Sequence, residues 1–253
     1  MPDVMPTNRD RMDTEATQQL ANRPVDHITS VVKAAVGALP VVGSFLSEVA
    51  GVLIPNQRLD RLAKFAEALA ARLEDVRQDV LRAKLGDENF TDLLEESLWQ
   101  VARSTSDERR AYIAALLSNG VKSEDISHIE NKHLLRILGE LNDIEVIWLR
   151  AYYEWHWGDR NSEFQNRHAE ILNPVGAHLG SSRGELDKEA LQESYKAHME
   201  QLGLLRPRYR VDSKTKMPEF DSNRGMKRSG YEISPLGQLL VRQIGMLPEQ
   251  EKA

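Results

Sequence analysis

Apolar residues recur at helical spacing along most of the chain, and the breaks in that period mark its elements. The clearest signal runs over 56–85, where Leu59, Leu62, Ala66, Leu69, Leu73, Val76, Val80 and Ala83 alternate by three and four, a heptad seam. Phe65, Ala63 and Ala70 widen the stripe, as a helix packed on more than one neighbour requires. Pro55 and Gly86 bracket it, so the pattern predicts one long helix. Its seam is met within the chain or, as the alternative, by a second copy. A helix over 87–103 follows, carrying Phe90, Leu93, Leu94, Leu98 and Val101. The next, over 105–119, has Thr105 and Glu108 as a capping box and Gly120 as its stop. Ser123 is placed to cap a leucine-rich helix. Asp143 opens an aromatic one, in which Trp148, Tyr152 and Trp155 share a face and are assigned to the core. Tyr153 and Trp157 fall on the other side and are candidate interface residues. Two further helices are predicted over 160–172 and 185–202.

The period then changes. Leu204 to Val211 alternates loosely and Gly230 to Ile233 reads as a second strand, with a polar stretch between them. Ser234 and Pro235 form a helix start, cap followed by a first-turn proline, for a helix running to about Ile244. The order helix, helix, helix, strand, long loop, strand, helix resembles a winged helix-turn-helix, in which the third helix, here about Asp187–Leu202, enters the major groove and the hairpin touches the backbone.

Residues 31–54 are the other unusual stretch. From Ala34 to Ile54 the only charge is Glu48, a length suited to a membrane span. Pro40 interrupts the helical ladder, while Gly37, Gly43 and Gly51 weaken it. Two short helices buried in a bundle are the favoured reading. A conditional membrane-active segment, carried by Val36, Val41, Phe45, Val49 and Ile54, is the other.

Composition sharpens this picture. With 253 residues, 41% hydrophobic and 28% charged, the chain has material for a large core. The expected fold is mainly α: a polar tail over 1–25, a helical bundle over 26–122, a winged-helix-like unit with a small β-hairpin over 123–245, and a tail over 246–253. Residues 1–30 lack the basic start and apolar run of a signal peptide, so cytoplasmic residence is expected. The formal net charge is -6, so any nucleic-acid contact must come from a local patch. One exists: Arg206, Arg208, Arg210, Lys214, Lys216, Arg224, Lys227 and Arg228 stand against Asp212, Glu219 and Asp221, eight bases to three acids. The preceding helix disagrees, since Asp187, Glu189, Glu193 and Glu200 outnumber Lys188 and Lys196 and would repel phosphate.

Catalytic and metal signatures are missing from the sequence. No cysteine is present, which excludes thiolate chemistry, disulfides and cysteine zinc sites. His128 and His133 are five apart, off the i, i+4 spacing that places two ligands on one helical face. There is no HExxH, no phosphate-binding glycine loop and no nucleophile elbow. The expectation is therefore no enzyme, no cofactor, no metal and no small-molecule substrate. Function would pass through a protein partner or self-association, with a membrane or, less favoured, nucleic acid as alternatives.

Several short motifs carry a family likeness. They are Leu39-Pro-Val-Val-Gly43, the stretch from Arg109 to Gly120, Leu202-Gly-Leu-Leu205 and Tyr231-Glu-Ile-Ser-Pro-Leu-Gly237. Together the layout over 30–245 resembles the Abi-alpha type of bacterial protein, associated with abortive infection. The resemblance implies a defence-associated or toxin-like helical protein without a known catalytic site, and it transfers no functional residue.

Overall fold

The computed structural model describes residues 56–247 apart from 124, 125, 177, 179, 223 and 224. Among them the chain is mainly helical, with small antiparallel strand pairs near its C-terminal end. It divides into two compact units, the first ending at Asn131 and the second beginning at Lys132.

In the first unit, α1 (Asn56–Arg72), α3 (Glu88–Arg103) and α4 (Asp107–Lys122) pack on one another, and α2 (Gln78–Leu85) packs on α3. Leu62, Phe65, Ala66, Leu69 and Leu73 are buried, so the first half of the heptad seam forms the core it predicts. The single long helix does not form. It stops at Arg72 and restarts at Gln78. Contacts to α4 hold the break: the Ser118 hydroxyl donates to the Arg72 carbonyl, an end group left without a helical partner, and Lys122 pairs with Asp75 at 2.7 Å. Beyond the break the seam rotates. Val80 and Ala83 turn to solvent, and Leu81 takes the buried position.

Two end signals also move. The cap of α4 is Ser106, which accepts from the Arg109 amide, and not Thr105. Gly120 does not end that helix. It lies inside it, where a Cβ would press on the Asn131 side chain at 3.2 Å, so this glycine serves close packing. The next helix, α5 (His128–Glu140), starts at Ser127 and not Ser123: Ser127 Oγ accepts from the Glu130 amide while Glu130 accepts from the Ser127 amide.

The second unit centres on α6 (Asp143–His156), capped by Asn142 in a reciprocal box with Glu145. Leu149, Ala151 and Val146 are buried along it, and Trp148 and Tyr152 are buried as expected, with Trp155 half-buried beside them. The stretch 160–172 yields two short helices, α7 (Glu163–Arg167) and α8 (Ala169–Leu172). Then come α9 (Arg183–Gln201), strand β1 (Leu205–Tyr209), the short strands β2 (Phe220–Asp221) and β3 (Gly225–Met226), strand β4 (Arg228–Ile233) and α10 (Pro235–Gln243). α6 packs on α8, α9, β4 and α10.

Candidate functional site

The most distinctive surface is the β1–β4 hairpin, and its base is rigidly seated. Just past the end of α9, Gly203 has a positive φ of 74°, which lets its amide reach the Glu200 carbonyl while the Leu204 amide reaches Met199. Leu204, Leu205 and Ile233 are buried. Ser234 caps α10 by accepting from the Gly237 amide, and its hydroxyl donates to the Gly203 carbonyl at 2.6 Å. At Gly237 a Cβ would collide with the Leu204 carbonyl oxygen and lie 2.8 Å from Ile233 Cγ1, so only glycine fits there. The two C-terminal motifs, Leu202 to Leu205 and Tyr231 to Gly237, are thus the halves of one anchor.

From this anchor the strands run outward. Antiparallel pairing sets Leu205 against Ile233, Arg206 against Glu232, Pro207 against Tyr231 and Arg208 against Gly230, with a bulge before Tyr209 meets Arg228. Alternation sends Arg206, Arg208 and Arg210 to one face, spaced about 7 Å apart along the strand. The ladder then branches. The Arg210 amide donates to the Lys227 carbonyl, and the Arg210 carbonyl accepts from Glu219. Val211 faces Pro218, and Phe220 faces Met226. Since 218 and 220 are alternate positions on one strand, Val211, Pro218, Phe220 and Met226 share the face opposite the arginines. All four are exposed, Val211 by 55%, Phe220 by 71% and Met226 by 50%, and Met217 in the adjoining turn by 69%. The turn itself is set by Asp212, whose carboxylate accepts from the Lys214 and Thr215 amides. Those amides hold it below the usual carboxylate range.

The candidate cations divide on inspection. Arg228 turns to the body, forking onto Glu200 at 2.9 and 3.3 Å and touching the Tyr231 hydroxyl. That carboxylate raises the Arg228 pKa. Arg206 pairs with Glu232 at 2.8 Å and Lys227 with Glu219 at 3.4 Å. Arg224 lies outside the described residues. Among the described residues Arg208 meets the Ser229 hydroxyl and no carboxylate, and Arg210, Lys214 and Lys216 are exposed without an ion pair.

The other candidates fare differently. Tyr153 is 2% exposed and therefore no interface residue: it packs inward on α6, while Trp157 is 61% exposed. The membrane-active segment with Val36, Val41, Phe45, Val49 and Ile54 lies outside the described residues. Among those that are described, no helix is long and apolar enough to cross a membrane, and no His, Asp and Glu cluster is arranged to hold a metal ion.

Two buried carboxylates were not signalled by the sequence. Glu154 accepts from Arg150, Ser162 and Gln165, at 3.1, 2.5 and 2.9 Å, and Gln165 in turn accepts from Trp155 Nε1. Glu145 joins His198 Nδ1 at 2.7 Å. Besides its local box with Asn142, Glu145 thus meets a partner 53 residues away, beyond any local pattern. Both groups are satisfied by protein atoms and belong to the packing of α6. Burial raises the pKa of Tyr152, helped by Glu193 and Tyr231, so its hydroxyl stays neutral. The exposed apolar residues of the hairpin were also missed. Their signal was present as Val211 at the end of the predicted strand and as Phe220 and Met226 standing among charges in the stretch read as polar.

No protein-family model, curated protein or solved structure matches this chain.

Proposed function

We propose that this chain is a non-enzymatic protein of bacterial phage defence, of the abortive-infection type, which acts by docking its basic hairpin against an anionic partner. The observation that carries the reading is the state of the cations. Among the described residues Arg208, Arg210, Lys214 and Lys216 stand without carboxylate partners, on a hairpin whose base is locked by Ser234 and Gly237. Arg206 of the same row is held by Glu232, so these four are the cations that gain most from an incoming anion. The link to defence rests on the family likeness of the layout over 30–245. In that setting conditional membrane insertion of residues 31–54 is the effector step, and the hairpin supplies the address.

The test is phage challenge of a bacterium expressing the chain. Plaque formation should fall, and an Arg208→Glu/Arg210→Glu variant that remains folded should restore it. Equal protection by both proteins would remove the hairpin from the mechanism. No protection against any phage would remove the defence link.

A DNA-binding winged helix is the second reading. α9, the β1–β4 pair and α10 follow in the order of such units, and the free cations suit phosphates. The carboxylates Asp187 and Glu193, both exposed on α9, oppose seating that helix in a groove. Reversal of Arg206, Arg208, Arg210, Lys214 and Lys216 should abolish a salt-sensitive mobility shift if this reading holds.

A further inference from the structure

We infer that the hairpin tip is a docking element for an anionic phospholipid surface, entering it tip-first. This rests on the reading of the hairpin as the docking surface and names what it docks to.

The tip combines two features that one partner must meet together. Phe220, Met226 and Val211 form a bare apolar face, with Met217 exposed in the turn beside it. Nothing else in that strand group covers them, although they sit only a few residues from a packed base at Leu205 and Ile233. Around the same tip Arg210, Lys214 and Lys216 are exposed and carry no ion pair among the described residues. Apolar side chains gain by leaving water, and the cations gain from a dense field of negative charge. A bilayer interface rich in anionic headgroups offers both within a few ångströms of depth, apolar below and negative above.

A nucleic-acid duplex fits less well. It supplies phosphates for the cations but takes up Phe220 and Met226 only if they wedge between base pairs and unstack them. Groove docking with α9 as reader would also press Asp187 and Glu193 toward phosphate. A flat surface met by the tip makes neither demand. A second copy of the chain would need a matching anionic, apolar face. The exposed Leu186 and Leu191 of α9 are apolar and Asp187 beside them is anionic, so that face is the alternative tested by the dimer outcome.

The experiment uses the full chain and sedimentation with vesicles of phosphatidylcholine alone or enriched in phosphatidylglycerol. Binding should be confined to the anionic vesicles and weaken as salt is added. Phe220→Ser should lower the partition coefficient about 10-fold. Lys214→Gln with Lys216→Gln should lower it about 25-fold, about 5-fold for each charge. All three positions are exposed, so an unchanged thermal transition is expected in each variant.

Absence of binding to the anionic vesicles overturns the inference. So does binding that the tip variants leave unchanged, because another segment would then be responsible. Duplex binding lost on lysine substitution but indifferent to Phe220→Ser, without vesicle binding, replaces lipid with nucleic acid. A concentration-dependent dimer broken by Phe220→Ser, again without vesicle binding, replaces it with a second copy. In any of these cases phage protection that still depends on Arg208 and Arg210 leaves the broader reading standing. Protection independent of them removes that reading instead.

Discussion

α4 and α9 are helices of similar length, 16 and 19 residues, each opened by a serine cap, yet they live in opposite environments. α4 buries Arg110, Ile113, Ala114, Ala115, Leu116, Leu117, Ser118, Gly120 and Val121, most of its circumference. α9 buries only Gln192 and Met199. A helix covered over most of its circumference and a helix bare over most of its length both lack a one-sided stripe, so amphipathicity alone separates neither from the other. What separates them is where the stabilisation comes from. α4 is held by packing on α1 and α3. α9 is held by its ends, the reciprocal box of Ser182 and Glu185 at the start and the Gly203 turn at the finish, and by a few point contacts of Gln192, His198 and Met199, with a Glu193–Lys196 pair along its side.

The largest effect expected from this contrast lies in the packed helix. Leu116 is 0% exposed, and Leu116→Ala should cost about 2–5 kcal/mol through lost transfer energy and the cavity left behind. Urea denaturation followed by circular dichroism would measure it. A loss below about 1 kcal/mol would mean that α4 is not enclosed as described.

Next comes the anchor of the hairpin. Gly237→Ala forces a methyl onto the Leu204 carbonyl, and the helix or the strand has to shift. About 1–3 kcal/mol should be lost. The same variant should loosen the hairpin, so amide exchange at Leu204 and Ser234 is expected to accelerate together. Independent exchange at the two would show that they are not one anchor.

A matched pair of caps gives a smaller and sharper comparison. Ser234 is buried, caps Gly237 and donates to the Gly203 carbonyl, so Ser234→Ala removes two bonds and should cost about 1–2 kcal/mol. Ser182 caps α9 in the open, where water replaces it, and Ser182→Ala should cost about 0.5–1 kcal/mol. Equal losses would argue that burial contributes nothing to the first cap.

How much of this was legible in the sequence follows from the range over which each signal acts. The Ser234-Pro235 start and the apolar periods are local, and α3, α6, β1, β4 and α10 appear near where the pattern puts them, whereas the caps of α4 and α5 fall one and four residues later than the threonine and serine the pattern offered. The break between Arg72 and Gln78 was not legible, because the heptad spacing passes through it. Tertiary bonds from Ser118 and Lys122, over forty residues away, hold it open. Tyr153 was misplaced for a related reason: one period told two faces of α6 apart, but neighbours on several sides bury nearly the whole helix. The basic hairpin was legible as charge. Which of its cations are free was not, since Glu200 and Glu232 reach Arg228 and Arg206 across the fold.

Histidines compare the two units by titration. His128 stacks edge-on against Phe90 in the first, and His168 against Phe164 in the second. Burial lowers both pKa values, with Lys84 adding for His128 and Arg167 and Arg150 adding for His168. A base whose folded pKa lies below its unfolded value binds its proton first in the unfolded chain. Its contribution is therefore present above about pH 6.5 and is lost as pH falls through the folded pKa. Both units should lose stability on acidification from neutral pH, before the carboxylates Asp87 and Asp212 protonate. His128→Phe should flatten that early loss in the first unit and leave the second unit's intact. A midpoint indifferent to pH between 7 and about 5.5 would contradict the burial of both rings.

The smallest effect tests the bare helix itself. Leu186 and Leu191 are 47% and 52% exposed on α9, so truncating either to alanine removes little buried surface and leaves no cavity. Alanine also has the higher helix propensity. Each change should stay within about 0.5 kcal/mol, by the same urea titration that detects Leu116→Ala. If Leu191→Ala instead costs more than about 1 kcal/mol, something covers that face in solution and the contrast between the two helices is lost. Repeating the measurement at several protein concentrations identifies the cover. A cost that grows with concentration belongs to a second copy, and a constant one to the chain's own residues.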